Sequence, residues 1–117
     1  MSGGLTTHVL DTANGRPAAG LSIELYAIEH EHRRLVKTLR TNADGRTDGP
    51  LLPPEEFAAG IYEIVFDVAG YFGHDTDLPD PPFLGRVPVR FGIAHPDAHY
   101  HIPLLVSPWS YSTYRGS

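Results

Sequence analysis

The chain has no cysteine among its 117 residues. That excludes a disulfide framework, a thiolate nucleophile and any zinc site built on thiolates, and it leaves the redox compartment open. Long apolar runs are missing too: none approaches the roughly 20 residues that span a bilayer as a helix. Nor is there a basic excess. Nine Lys and Arg stand against 14 Asp and Glu, a formal net charge of −5, the reverse of what a nucleic-acid surface carries. No nucleophile elbow, phosphate loop or dinucleotide fingerprint occurs, and no internal repeat, linker or low-complexity segment. The opening MSGGLTTHVLD lacks the basic start and apolar core of a secretory signal. The expectation is a soluble domain, most simply cytoplasmic, with neither nucleic-acid nor membrane partners.

What the chain does have is punctuation. Twelve Gly and 11 Pro separate short apolar runs, as turn residues do in a β protein. Period-two alternation predicts a first strand in LTTHVLD, with Leu5, Thr7 and Val9 on one face and Thr6, His8 and Leu10 on the other. A loop follows at 13–20, then a strand in LSIELYAI, a charged turn at 29–34 and a returning strand in LVKTLRT. NADGRTDG (42–49) holds the Asp-Gly signal of a tight turn. LPPEEFAAG (52–60), with its early prolines and closing Gly, predicts a short helix. IYEIVFDVAGYF reads as one continuous strand, Tyr62, Ile64, Phe66 and Val68 inward, Glu63 and Asp67 outward. A Pro- and Asp-rich connection (74–85) leads to VPVRFGIA, where Pro88 implies an edge strand or a strand's start. The last strand runs from about Ala98 to Ser107. Length and strand count predict one domain, residues 1–117, built as an all-β, two-sheet antiparallel sandwich.

The last strand has two useful faces. Tyr100, Ile102, Leu104 and Val106 make a core stripe, while His99, His101, Pro103, Leu105 and Ser107 make the other. The first strand's outer face mixes His8 with Leu10 in the same way. Outer faces that are half apolar and half histidine suit a surface covered by another subunit.

Three constellations could carry chemistry. His99-x-His101 could hold zinc if His8, His95 or a carboxylate supplied a third ligand. His8, Arg46 and His101 would suit proton transfer from water and stabilisation of an oxyanion, although spacing alone does not bring them together. The tail YSTYRGS could equally be a solvated end. The cluster at 30–32 reads as solvated.

The end of the chain, HYHIPLLVSPWSYSTYRGS, resembles the C-terminal signature of the transthyretin-like family, and in particular of its 5-hydroxyisourate-hydrolysing branch. THVLDTANGRPAAGLSIEL resembles the N-terminal signature, and TNADGRTDGPL and GIYEIVFDVAGYF are similar to the middle. The departure is HDTDLPDPPFLGR (74–86), longer and richer in Pro and Asp than the usual stretch. The resemblance implies a β-sandwich with one short helix, assembled as a homotetramer, a dimer of dimers, with active sites in the cleft between dimers. It implies catalytic roles for His8, Arg46, His101 and Ser117, substrate contacts from His99, Tyr114, Arg115 and Gly116, and no metal or other cofactor. The implied reaction is hydrolysis of 5-hydroxyisourate to 2-oxo-4-hydroxy-4-carboxy-5-ureidoimidazoline. A non-catalytic small-molecule carrier is the alternative; the family's carriers have Lys- and Thr-like residues where His8 and His101 stand, and lack the Tyr-Arg-Gly-Ser end.

Overall fold

Alternating side chains give two sheets in the computed structural model, which describes residues 3–74 and 76–116. Among the described residues eight strands form: β1 (Leu5–Asp11), β2 (Arg16–Pro17), β3 (Ser22–Glu29), β4 (His32–Arg40), β5 (Gly60–Asp67), β6 (Arg86–Ile93), β7 (Tyr100–Val106) and β8 (Tyr111–Thr113). One sheet has the order β2-β1-β7-β8 and the other β4-β3-β5-β6. Each burial stripe falls where period two puts it: Leu5, Val9, Ile23, Leu25, Ile64, Phe66, Ile102, Leu104 and Val106 meet between the sheets. Each such side chain contributes about 1.5–3 kcal/mol by leaving water, which is why register is held firmly. Pro88 sits on β6, an edge strand, where a missing N–H is tolerated. Among the described residues no helix is long and apolar enough to cross a membrane.

The sandwich is antiparallel except for one pair of strands. β1 and β7 pair in parallel, with Thr6 opposite His101, His8 opposite Pro103 and Leu10 opposite Leu105.

Four local expectations are corrected. The strand predicted over 61–72 ends at Asp67, and Val68–Phe72 forms a helical turn, α1. Asp67 caps it, its carboxylate accepting the Gly70 N–H at 3.1 Å, and Val68 reaches the core from the helix instead of from a strand. The short helix expected at 52–60 shrinks to one 3-10 turn, Pro54–Glu56, because Leu52 is held in a β-bridge to Leu5. The charged turn at 29–34 narrows to His30 and Glu31, both in the left-handed region (φ 51° and 68°), so β4 begins at His32. The tail, finally, stays exposed as far as Arg115 but is ordered as a strand. Tyr111–Thr113 pairs with Val106–Leu104 as an added edge strand. Glu63 does point away from the core, but Arg33 and Arg90 cover it, at 3.1 and 3.0 Å, leaving it buried.

Candidate active site

The parallel register of β1 and β7 assembles the site. On the outer face of this sheet, Thr6, His101 and Gly116 form one row, since Gly116 bridges back to His101. His8 and Pro103 lie one step along, and Leu10, Leu105 and Ser112 one step further.

The free edge of β1 receives the segment that carries Arg46. Val9 N–H donates to the Gly45 carbonyl at 2.8 Å, and Leu5 exchanges hydrogen bonds with Leu51 and Leu52. Gly45 (φ 75°) is required there: a β-carbon would collide with the Val9 carbonyl oxygen. Asn42 shapes the turn, its side-chain oxygen accepting the Asp44 and Arg46 N–H groups at 2.9 and 3.2 Å. This docking brings Arg46, Thr47 and Gly49 beside Thr6, His99 and His101, around a pocket of about 370 Å³. Among the described residues Arg46 makes no ion pair, so its charge is available to a ligand.

The histidines are held by their ring nitrogens. His8 Nε2–H donates to the Asp44 carbonyl at 2.9 Å; a carbonyl only accepts, so a neutral His8 keeps its lone pair on Nδ1. The Thr6 hydroxyl lies between two rings, 2.9 Å from His101 Nδ1 and 3.0 Å from His99 Nε2. Burial pushes the His101 imidazole below the usual histidine range, and the Arg46 cation, His8 and His99 push the same way. Each of these influences favours the neutral imidazole, the state a general base needs.

The tail residues part company. Gly116 packs on the His101 ring, its N–H donating to the His101 carbonyl at 2.6 Å. Arg115 turns away from the pocket: its guanidinium stacks over the Tyr100 ring at 4.2 Å and donates to the His99 carbonyl at 3.3 Å. Tyr114, 60% exposed, lines with Arg115 a separate groove at the open edge between β6 and β8. Ser117 lies outside the described residues. Among the described residues no three His, Cys, Asp or Glu side chains converge to hold a metal; His99 and His101 share Thr6 instead. Four residues that line the pocket escaped the sequence reading, Thr6, Thr7, Thr47 and Gly49. Alternation does put Thr6 on the face of His8, but only the register puts it against His101.

A general base beside an unpaired guanidinium can activate water and steady an oxyanion. Comparisons with known proteins give the chain's family. The profile of the HIUase/Transthyretin family matches residues 5–116. The protein named 5-hydroxyisourate hydrolase 2 of Rhizobium meliloti (strain 1021) is 61% identical over 117 residues, covering 99% of this chain and 98% of the relative. The crystal structure of an (S)-allantoin synthase superposes with a TM-score of 0.91 at 51% identity, covering 98% of this chain and 44% of that one. Sea bream transthyretin in complex with thyroxine superposes with a TM-score of 0.85 at 30% identity, covering 96% and 93%. This chain belongs to the HIUase/Transthyretin family.

Proposed function

We propose that the chain is a hydrolase that opens one ring of 5-hydroxyisourate by adding water to a lactam carbonyl. The observation that carries this reading is His101: its Nδ1 is held by Thr6, its neutral form is favoured by burial and by Arg46, and it lines a pocket with that same Arg46. His101 Nε2 takes a proton from water as the oxygen attacks. Arg46 binds the substrate and stabilises the tetrahedral oxyanion. His8, anchored on Asp44, is the second acid–base group. Collapse of the intermediate returns a proton to the leaving ring nitrogen, and the product is the ureidoimidazoline carboxylate. No step calls on a metal.

The carrier alternative draws on the likeness to thyroxine-bound transthyretin. Against it stand Arg46 and His101 in one pocket, with His8 near enough to act electrostatically on His101.

The reading includes a homotetramer. Leu10 and Leu105, both only partly buried, share the outer face with the histidines, and Trp109 and Tyr114 are each 60% exposed nearby in the chain. Apolar surface of this kind is covered when a second copy packs on it. Sedimentation at micromolar concentration is expected to give four subunits; a monomer overturns this part of the proposal.

The test is decay of freshly made 5-hydroxyisourate, followed by ultraviolet absorbance with purified protein and a chelator. Faster decay than in buffer, with the ring-opened carboxylate as product, is the expected result. No acceleration by folded protein, together with calorimetric binding of thyroxine, would favour the carrier.

A further inference from the structure

A hydroxyl placed between two imidazoles constrains both of them. Thr6 Oγ1 has one proton to give, yet it lies within hydrogen-bond reach of His101 Nδ1 at 2.9 Å and His99 Nε2 at 3.0 Å. It can donate to one ring only, so at least one of the two ring nitrogens must carry a proton and donate back. Were both nitrogens lone pairs, one would face the hydroxyl oxygen without a proton between them. The three residues come from fixed places: Thr6 and His101 are register partners on β1 and β7, and His99 immediately precedes β7. Arg115 holds the His99 carbonyl and Gly116 packs on the His101 ring.

Building on the hydrolase reading above, we propose that Thr6 is a positioning residue that sets the tautomer of His101. The bonds run in one direction. His101 Nδ1–H donates to Thr6 Oγ1, and Thr6 Oγ1–H donates to His99 Nε2. His101 Nε2 is then left as a lone pair facing the pocket. With the opposite direction His101 would carry its proton on Nε2 and could not act as a base. When water attacks, one water O–H bond breaks and an Nε2–H bond forms; the imidazolium's Nδ1–H bond to Thr6 becomes charge-assisted and stronger. Thr6 thus holds the ring ready before the reaction and stabilises its charge during it. His8 needs no such device, because the Asp44 carbonyl already fixes its tautomer.

The experiment compares wild type with Thr6→Val and Thr6→Ser. Valine keeps the shape and the strand preference of threonine but cannot bridge; serine keeps the bridge. For Thr6→Val, kcat is expected to fall about 10- to 100-fold, part of the 10²–10⁴ range of a general base, with KM and melting temperature little changed. Thr6→Ser should stay within about threefold of wild type. Long-range ¹H–¹⁵N spectra of the imidazoles supply a readout independent of turnover. Wild-type His101 should be the Nδ1–H tautomer, and Thr6→Val should lose that preference. Full activity in Thr6→Val, or equal losses in both variants, overturns the proposal. So does an Nε2–H tautomer for His101 in the wild type, even if Thr6→Val fails to fold. If wild type does not accelerate decay of 5-hydroxyisourate, the hydrolase reading fails, while the wild-type spectrum still decides whether Thr6 sets the tautomer.

Discussion

Gly116→Ala should damage catalysis while sparing the fold. A β-carbon built on Gly116 would sit 3.0 Å from His101 Cδ2, 3.2 Å from its Cβ and 3.4 Å from its Cγ. Comfortable carbon contacts lie at about 3.5–4.0 Å, so something must move by roughly half an ångström. The main chain is poorly placed to yield, because Gly116 and His101 are tied by two backbone bonds, of 2.6 and 3.2 Å. The imidazole yields instead, swinging about its side-chain torsions and away from its 2.9 Å bond to Thr6. A misplacement of about 1 Å in a catalytic group costs about 100-fold; half that displacement should cost about 10-fold in kcat. Backbone strain is not in play, since Gly116 is outside the left-handed region. Alanine there also reduces the freedom of the unfolded chain, worth about 0.4–1 kcal/mol, which offsets part of the crowding. The assay is absorbance decay of 5-hydroxyisourate, with thermal unfolding by circular dichroism alongside. Unchanged kcat would refute the idea that the tail sets the His101 ring. A loss of rate that only tracks a loss of folded protein would refute it equally.

Further outcomes concern charge and packing. His101 is held below the usual histidine range by burial first and then by Arg46, so the acid limb of kcat/KM should lie below pH 6.5. Arg46→Gln should move that limb upward even as the rate falls; a limb that stays put or moves down contradicts the assignment. Asp11 is buried, which raises its pKa, but hydrogen bonds from Asn14 and Tyr71 outweigh burial and leave it lowered. Its stabilisation is therefore present above the ordinary carboxylate range and lost as pH falls through the lowered value. Tyr71→Phe removes a 2.7 Å bond to that carboxylate and should cost about 1.5–3 kcal/mol in urea unfolding at pH 7, with the deficit shrinking in acid. Phe66, fully buried between the sheets, should cost about 3–5 kcal/mol as Phe66→Ala; a deficit under about 1 kcal/mol would mean that the core is not packed as described.

How much of this was legible in the residues differs by level. Alternation gave the buried faces of β1, β3, β5 and β7, since a strand half buried against a core has no other way to hide its apolar side chains. The same periodicity is silent on partners. Nothing in LTTHVLD and YHIPLLV says that they pair, or that they pair in parallel, yet that register alone puts Thr6 against His101. The switch at Asp67 was hidden because Val68 continues the alternation; the capping carboxylate and Gly70 were the signals passed over. β8 was missed because its Tyr, Ser and Thr side chains are exposed on both faces of an edge strand, which leaves no burial stripe to read. His8, Arg46 and His101 were named through a family resemblance, not through spacing. What joins them is the docking of 42–52 along β1, built from backbone bonds that sequence does not display. Arg115, named with the pocket, faces Tyr100 instead, because its position next to Gly116 sends it to the opposite side of the sheet edge.

The most direct test of the central claim is the decay rate of 5-hydroxyisourate with wild type and with His101→Asn, at equal concentrations of folded protein. The account expects wild type to accelerate decay well beyond buffer, and His101→Asn to lose about 10²–10⁴-fold of that acceleration while keeping its melting temperature. A His101→Asn protein that turns over substrate at the wild-type rate would contradict it.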